Sequence, residues 1–154
     1  MNLIKKLFVL CLLLTNLSMA DEVGIKAGTG FLQDNENVSI YSLSYKYFLV
    51  DRWLVYSGEA GHWSDPKPLS RNSFYVHSTL GLRGELKGFW AEANVGGAIV
   101  ANTDQYLGTA FEFIEEGSIG YKMIGASIRH YSNAGIQQPN LARNFILMGI
   151  YLPF

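Results

Sequence analysis

Cysteine is all but missing from this 154-residue chain: the one copy, Cys11, falls in an N-terminal stretch with the character of a leader. The remainder therefore has no disulfide, no thiol nucleophile and no thiolate metal centre. Charge is sparse, at 16% of residues, and nearly balanced, with 12 basic against 13 acidic side chains. That leaves no basic footprint for nucleic acid. Beyond the leader no apolar run is long enough for a membrane-spanning helix. Histidine is scarce as well. His62, His77 and His130 stand without helical or ligand spacing, which argues against zinc and leaves no cofactor to expect.

Lys5 and Lys6 precede a short apolar core, Leu7 to Leu14, and Ser18-Met19-Ala20 offers the small residues a signal peptidase prefers. Residues 1–20 are expected to be a cleaved signal peptide and 21–154 a single domain of 134 residues. Leu10-Cys11 suggests a lipoprotein signal, but cleavage before Cys11 leaves the rest of the Leu-rich run on the mature chain. Loss of Lys5 and Lys6 takes the basic count from 12 to 10 against 13 acids, a formal −3. An exported, cysteine-free, aromatic-rich chain is directed to the periplasm or the outer membrane.

What is present is alternation. Eight segments of strand length, roughly 22–32, 38–49, 53–63, 73–85, 89–100, 110–121, 125–134 and 144–154, are separated by turn signals. Tight connections at 50–52, 87–88 and 122–124 alternate with longer polar ones around 34–37, 64–72, 101–109 and 135–143. Short periplasmic turns and long external loops, with an even strand number, are the pattern of an outer-membrane barrel. Tyr41, Leu43, Tyr45, Tyr47 and Leu49 share one face of the second segment, and Ser42, Ser44 and Lys46 share the other. The expected fold is all-β: an eight-stranded antiparallel transmembrane barrel of the outer membrane. Its lumen, too narrow for a channel, would hold Lys26, Lys46, Arg83 and Arg129 against Glu59, Glu85, Glu92, Glu112 and Glu116. Trp53, Trp63, Trp90 and several tyrosines near strand ends suit interfacial girdles. The ending Gly149-Ile150-Tyr151-Leu152-Pro153-Phe154 resembles the assembly signal of bacterial outer-membrane proteins.

The chemistry concentrates in His130-Tyr131-Ser132-Asn133-Ala134-Gly135, with Pro139-Asn140 and Asn144 beyond it. In an extended strand His130 and Ser132 share a face, and by the parity above it is the lipid side. Antiparallel pairing across the loop 135–143 brings Asn144 near His130. Polar groups exposed to lipid are expensive, so their clustering is a functional signal. A serine hydroxyl becomes a nucleophile when an imidazole takes its proton and a third group fixes the ring's tautomer. The oxyanion that follows needs fixed N–H donors, for which the Gly-containing turn 133–135 is the natural place. His62 and His77 have no such company and read as structural.

These residues resemble the signature of the lipid A 3-O-deacylase family (PagL-type, or acyloxyacyl hydrolases). The resemblance implies an eight-stranded outer-membrane serine esterase that hydrolyses the ester-linked acyl chain at the 3-position of lipid A. It implies Ser132 as nucleophile, His130 as general base, and Asn133 and Gly135 lining the oxyanion hole. Lipid A or lipopolysaccharide is the expected substrate and outer-membrane lipid the surroundings; a homodimer is left open. Asn144 departs from the family pattern, which has glutamate there. An amide oxygen still accepts from the imidazole N–H but cannot balance imidazolium by charge. Leu141-Ala142 stands where the family often has glycine. Parity alone also turns Glu115, on the sixth strand, outward as a substitute acid. The residues themselves leave three rivals: a non-catalytic structural or adhesion barrel, an outer-membrane phospholipase, and a soluble periplasmic β-sandwich.

Overall fold

Strands of alternating polarity satisfy their backbones by pairing each with the next and the last with the first. The computed structural model describes residues 21–31, 38–65, 72–104, 106–138 and 140–154, so the expected signal peptide, including Cys11, and Pro139 lie outside the described residues. Its elements are β1 (Glu22–Gly30), β2 (Ser39–Val50), β3 (Leu54–Ser64), β4 (Ser73–Leu86), β5 (Phe89–Val100), β6 (Phe111–Tyr121), β7 (Ile124–Ser132) and β8 (Arg143–Pro153). They form a closed barrel in sequence order, antiparallel throughout, with β1 paired to β8. Closure leaves no sheet edge, which is the condition for spanning hydrocarbon with strands. It also rules out the soluble sandwich. At the tight β4–β5 turn, Lys87 and Gly88 both take positive φ, +52° and +85°. That is the left-handed pair a two-residue hairpin needs to match strand twist.

Polarity is inverted relative to a water-soluble barrel. Ile25, Phe74, Leu82, Val95, Ile119 and Ile128 are more than half exposed on the outside. Ion pairs fill the inside. Lys26 lies 2.9 Å from Glu59 and 2.8 Å from Glu116, and Lys46 lies 2.8 Å from Glu92. Arg129 reaches Glu59 at 2.5 Å and also pairs with Glu116. Glu85, expected in the lumen, is instead exposed at the end of β4, where it pairs with Arg83 at 2.7 Å, whereas Glu22 is buried and pairs with Arg83 at 3.3 Å. Glu112 is buried without a cationic partner among the described residues and accepts from the Thr109 hydroxyl instead. A lipid bilayer is the solvent in which such an outer surface is stable.

The aromatic assignment needs correction at two positions. Trp53 is half exposed, as a girdle residue should be, but Trp63 and Trp90 are buried at 1% and 5%. Both are in phase with the lumen side of their strands: Trp63 follows Glu59 and Gly61, and Trp90 precedes Glu92 and Asn94. Period-two parity overrides nearness to a strand end. Trp63 stacks on Tyr75 (5.2 Å) and Phe145 (5.9 Å) and meets Tyr131 (5.7 Å), forming an aromatic plug in the half of the lumen toward the long loops. Trp90 donates to the Lys122 carbonyl at 3.0 Å, near the opposite rim.

Candidate active site

The last two strands deliver the polar cluster by alternation. On β7, Arg129 and Tyr131 point inward and are fully buried, while His130 and Ser132 face outward and are half-buried. On β8, Arg143 and Phe145 are fully buried and Asn144 faces outward. His130 is the direct cross-strand partner of Asn144. Their side chains meet: the imidazole Nδ1 and the amide Oδ1 are 2.8 Å apart. A carbonyl oxygen only accepts, so Nδ1 is the donor, which in the neutral ring leaves the lone pair on Nε2. That tautomer suits a base acting on a hydroxyl from the Nε2 side.

The inward neighbours hold these strands still. Arg129 is bonded to Glu59, Glu116 and the hydroxyls of Tyr75 and Tyr131. Arg143 pairs with Asp65 at 3.1 Å and Asp104 at 2.5 Å, which ties β8 to two of the long connections. Strand alternation could not have revealed Asp65 and Asp104, because both lie outside the strands. Rotamers locked by packing on one side of a strand fix the directions of side chains on the other side.

Beyond Ser132 the chain turns. Ala134 and Gly135 take positive φ, +53° and +77°. Asn133 is fully buried and organises the turn: its Nδ2 donates to the Gln137 carbonyl at 2.8 Å, and its Oδ1 accepts from the Gly135 N–H at 3.0 Å. The Asn133 N–H donates to Asn140 Oδ1 at 3.1 Å, which gives Asn140 a role the motif alone did not. Both backbone amides expected at the oxyanion position are therefore bonded to neutral side-chain oxygens. Ala142 also takes a left-handed φ, +61°, at the position where glycine would carry no steric penalty.

An outward groove of about 560 Å³ runs from this rim over β5 and β6, lined by Val95, Gly97, Phe111, Phe113, Glu115, Ser132 and Ala134. Gly97, with no side chain of its own, lies beneath the Phe111 ring. His62 lies elsewhere on the outer face against Phe74 (4.7 Å), and His77 is buried in the lumen beside the Tyr131 hydroxyl (3.2 Å). Among the described residues no cluster of three histidine, cysteine or acidic side chains could hold a metal.

A closed barrel with an apolar exterior, an oriented imidazole and a hydroxyl on its lipid side belongs to the small membrane-embedded barrels with a surface site. Within that class the assignment is specific. A family model described as lipid A 3-O-deacylase (PagL) matches residues 26–152, and the chain belongs to that family. It is similar to the lipid A deacylase PagL of Bordetella bronchiseptica, with 35% identity over 60 residues, 34% of either chain; the match thus spans about a third of that relative's length. The crystal structure of the outer membrane enzyme PagL superimposes with a TM-score of 0.69 at 18% identity, covering 86% of this chain and 99% of that one. The expected barrel fold stands confirmed by that likeness.

Proposed function

We propose that the protein is an outer-membrane lipid A 3-O-deacylase acting by a serine-esterase mechanism. Ser132 is the nucleophile, His130 the general base and Asn144 the residue that orients the base. The observation that carries this reading is the 2.8 Å contact between His130 Nδ1 and Asn144 Oδ1, on the same outward face as Ser132. As the Ser132 Oγ–C bond forms on the ester carbonyl, its proton passes to Nε2. Collapse of the tetrahedral intermediate breaks the ester C–O bond and expels the sugar's 3-oxygen, which takes the proton from the imidazolium and leaves as the 3-hydroxyl. Water, activated by the same imidazole, then releases the fatty acid.

Asn133 and Gly135 line the oxyanion site in this mechanism. Their amides now bond to neutral oxygens of Asn140 and Asn133. A developing anion is the stronger acceptor, so it displaces those partners as it forms. The acyl chain would lie in the outward groove over Gly97, with the bilayer supplying orientation that a closed pocket supplies elsewhere.

The test is incubation of purified wild type and Ser132→Ala with lipopolysaccharide and, in parallel, with phospholipid. The expected result is a loss of one 3-hydroxyacyl chain from lipid A with the wild type alone, both proteins keeping the heat-modifiable gel mobility of a folded barrel. Release from phospholipid only, or equal release by Ser132→Ala, would refute the assignment.

A further inference from the structure

We infer that Glu115 is a positioning residue of the same site, supplying beside His130 the negative charge that Asn144 lacks. The inference rests on the proposed Ser132–His130 reaction. When Ser132 gives its proton to Nε2, the ring becomes a cation against hydrocarbon. Asn144 holds the Nδ1–H at 2.8 Å but brings no charge. An unbalanced cation in such surroundings is costly, and the nearest anion decides how costly.

The strand register supplies one. Glu115 on β6 is the direct partner of His130 on β7, just as Asn144 is its partner on β8. Directly opposed residues on one face have Cβ atoms roughly 4.5–5.5 Å apart. His130 thus stands in register between Asn144 on one side, which its ring touches, and Glu115 on the other, whose carboxylate lies outside ion-pair distance of the ring in the resting site. Glu115 also lines the groove that Ser132 opens into, so it stands where the reacting ester would lie.

Its position has no other explanation in the fold. The other aspartate, glutamate, lysine and arginine side chains of the described strands are buried in the lumen or, for Glu85 at the exposed end of β4, in phase with it and paired with Arg83; Glu115 alone has the lipid-facing phase. Its neighbour Glu116 is committed to Lys26 and Arg129. Glu115 makes no ion pair or side-chain hydrogen bond among the described residues. A carboxylate facing lipid without a structural partner, and in register with the catalytic base, is accounted for by the charge that the base acquires.

The experiment compares the full-length wild type, Glu115→Gln, Glu115→Asp and Glu115→Gln/Asn144→Glu in detergent. Three quantities are read: kcat and KM for fatty-acid release from lipopolysaccharide, and the rate of covalent labelling of Ser132 by a fluorophosphonate, which forms an Oγ–P bond and expels fluoride. Neutralising an outward carboxylate makes the surface more compatible with lipid, so Glu115→Gln is expected to fold, as gel mobility will report. Both kcat and labelling should fall about ten-fold or more in Glu115→Gln at unchanged KM, the scale of one nearby charge. Glu115→Asp should keep most of the rate, and Asn144→Glu should restore it in the double variant. Wild-type labelling of Glu115→Gln would overturn the inference, as would a raised KM with kcat intact, which would make Glu115 a substrate contact. If the wild type is labelled but releases nothing from lipopolysaccharide, the substrate proposal fails, and labelling alone still decides the role of Glu115.

Discussion

Arg129→Met tests whether the lumen holds the site in place. Arg129 is wholly buried; it contacts Glu59 at 2.5 Å and 2.7 Å, donates from Nε to Glu116 at 2.5 Å, and reaches the hydroxyls of Tyr75 and Tyr131 at 3.1 Å and 3.3 Å. Lys26 is the other cation on both carboxylates, at 2.9 Å and 2.8 Å. Two positive and two negative groups therefore balance in this cluster. Methionine preserves much of the volume but leaves Lys26 alone between two carboxylates. Breaking a buried pair from one side costs about 3–5 kcal/mol, mainly the desolvation of the abandoned charge. A domain of ordinary stability has only about 5–15 kcal/mol in total.

The measurement is equilibrium urea unfolding of the refolded barrel, followed by tryptophan fluorescence and gel mobility. Arg129→Met is expected to lose about 3–5 kcal/mol, and Arg129→Met/Glu116→Gln to recover about 2 kcal/mol of it by restoring charge balance. Because Arg129 and His130 are adjacent on β7, the folded fraction of Arg129→Met should also lose turnover, and the double variant should regain it along with stability. A loss below about 1 kcal/mol, or strict additivity in the double variant, would refute the reasoning that a charge-balanced lumen fixes the strand.

Three further outcomes are expected. Asn144→Ala removes the acceptor of the Nδ1–H, and kcat for fatty-acid release should fall by about 10²-fold, the lower end of what acid–base positioning contributes; unchanged kcat would detach Asn144 from the reaction. Trp63→Ala empties the centre of the aromatic plug and should cost about 3–5 kcal/mol in the same unfolding assay, whereas a loss near zero would mean that the plug collapses freely. Gly97→Leu fills the groove beneath the Phe111 ring; KM for lipopolysaccharide should rise while fluorophosphonate labelling of Ser132 stays at the wild-type rate.

Much of this architecture was readable because a strand has a period of two and one face must meet lipid. That rule positioned all eight strands to within about two residues of the observed bounds and turned His130, Ser132 and Asn144 to one side. The same rule was enough to turn Trp63 and Trp90 inward, yet nearness to a strand end had suggested a girdle for them. Alternation is silent in loops. Asp65 and Asp104, which hold Arg143, could not be read, nor could the way Asn133 and Asn140 occupy the backbone amides of the turn. Those contacts depend on where the loops settle, and local sequence pattern does not encode that.

The alternation that made the fold legible also explains how a surface site can be rigid without a pocket. His130 and Ser132 point to lipid, while Arg129, Tyr131 and Asn133 are buried with hydrogen bonds of their own. Asn144 points to lipid between Arg143 and Phe145, both fully buried. Each outward polar side chain thus stands between inward anchors on a backbone whose pleat leaves little freedom of rotation. The ion pairs and ring contacts of the lumen hold these side chains from behind the strand. It follows that substitutions inside the barrel, with no contact to substrate, should reach the proposed chemistry through the strand. Substitutions on the lipid face two or more strands away, such as Leu43→Val on β2, should leave it unchanged.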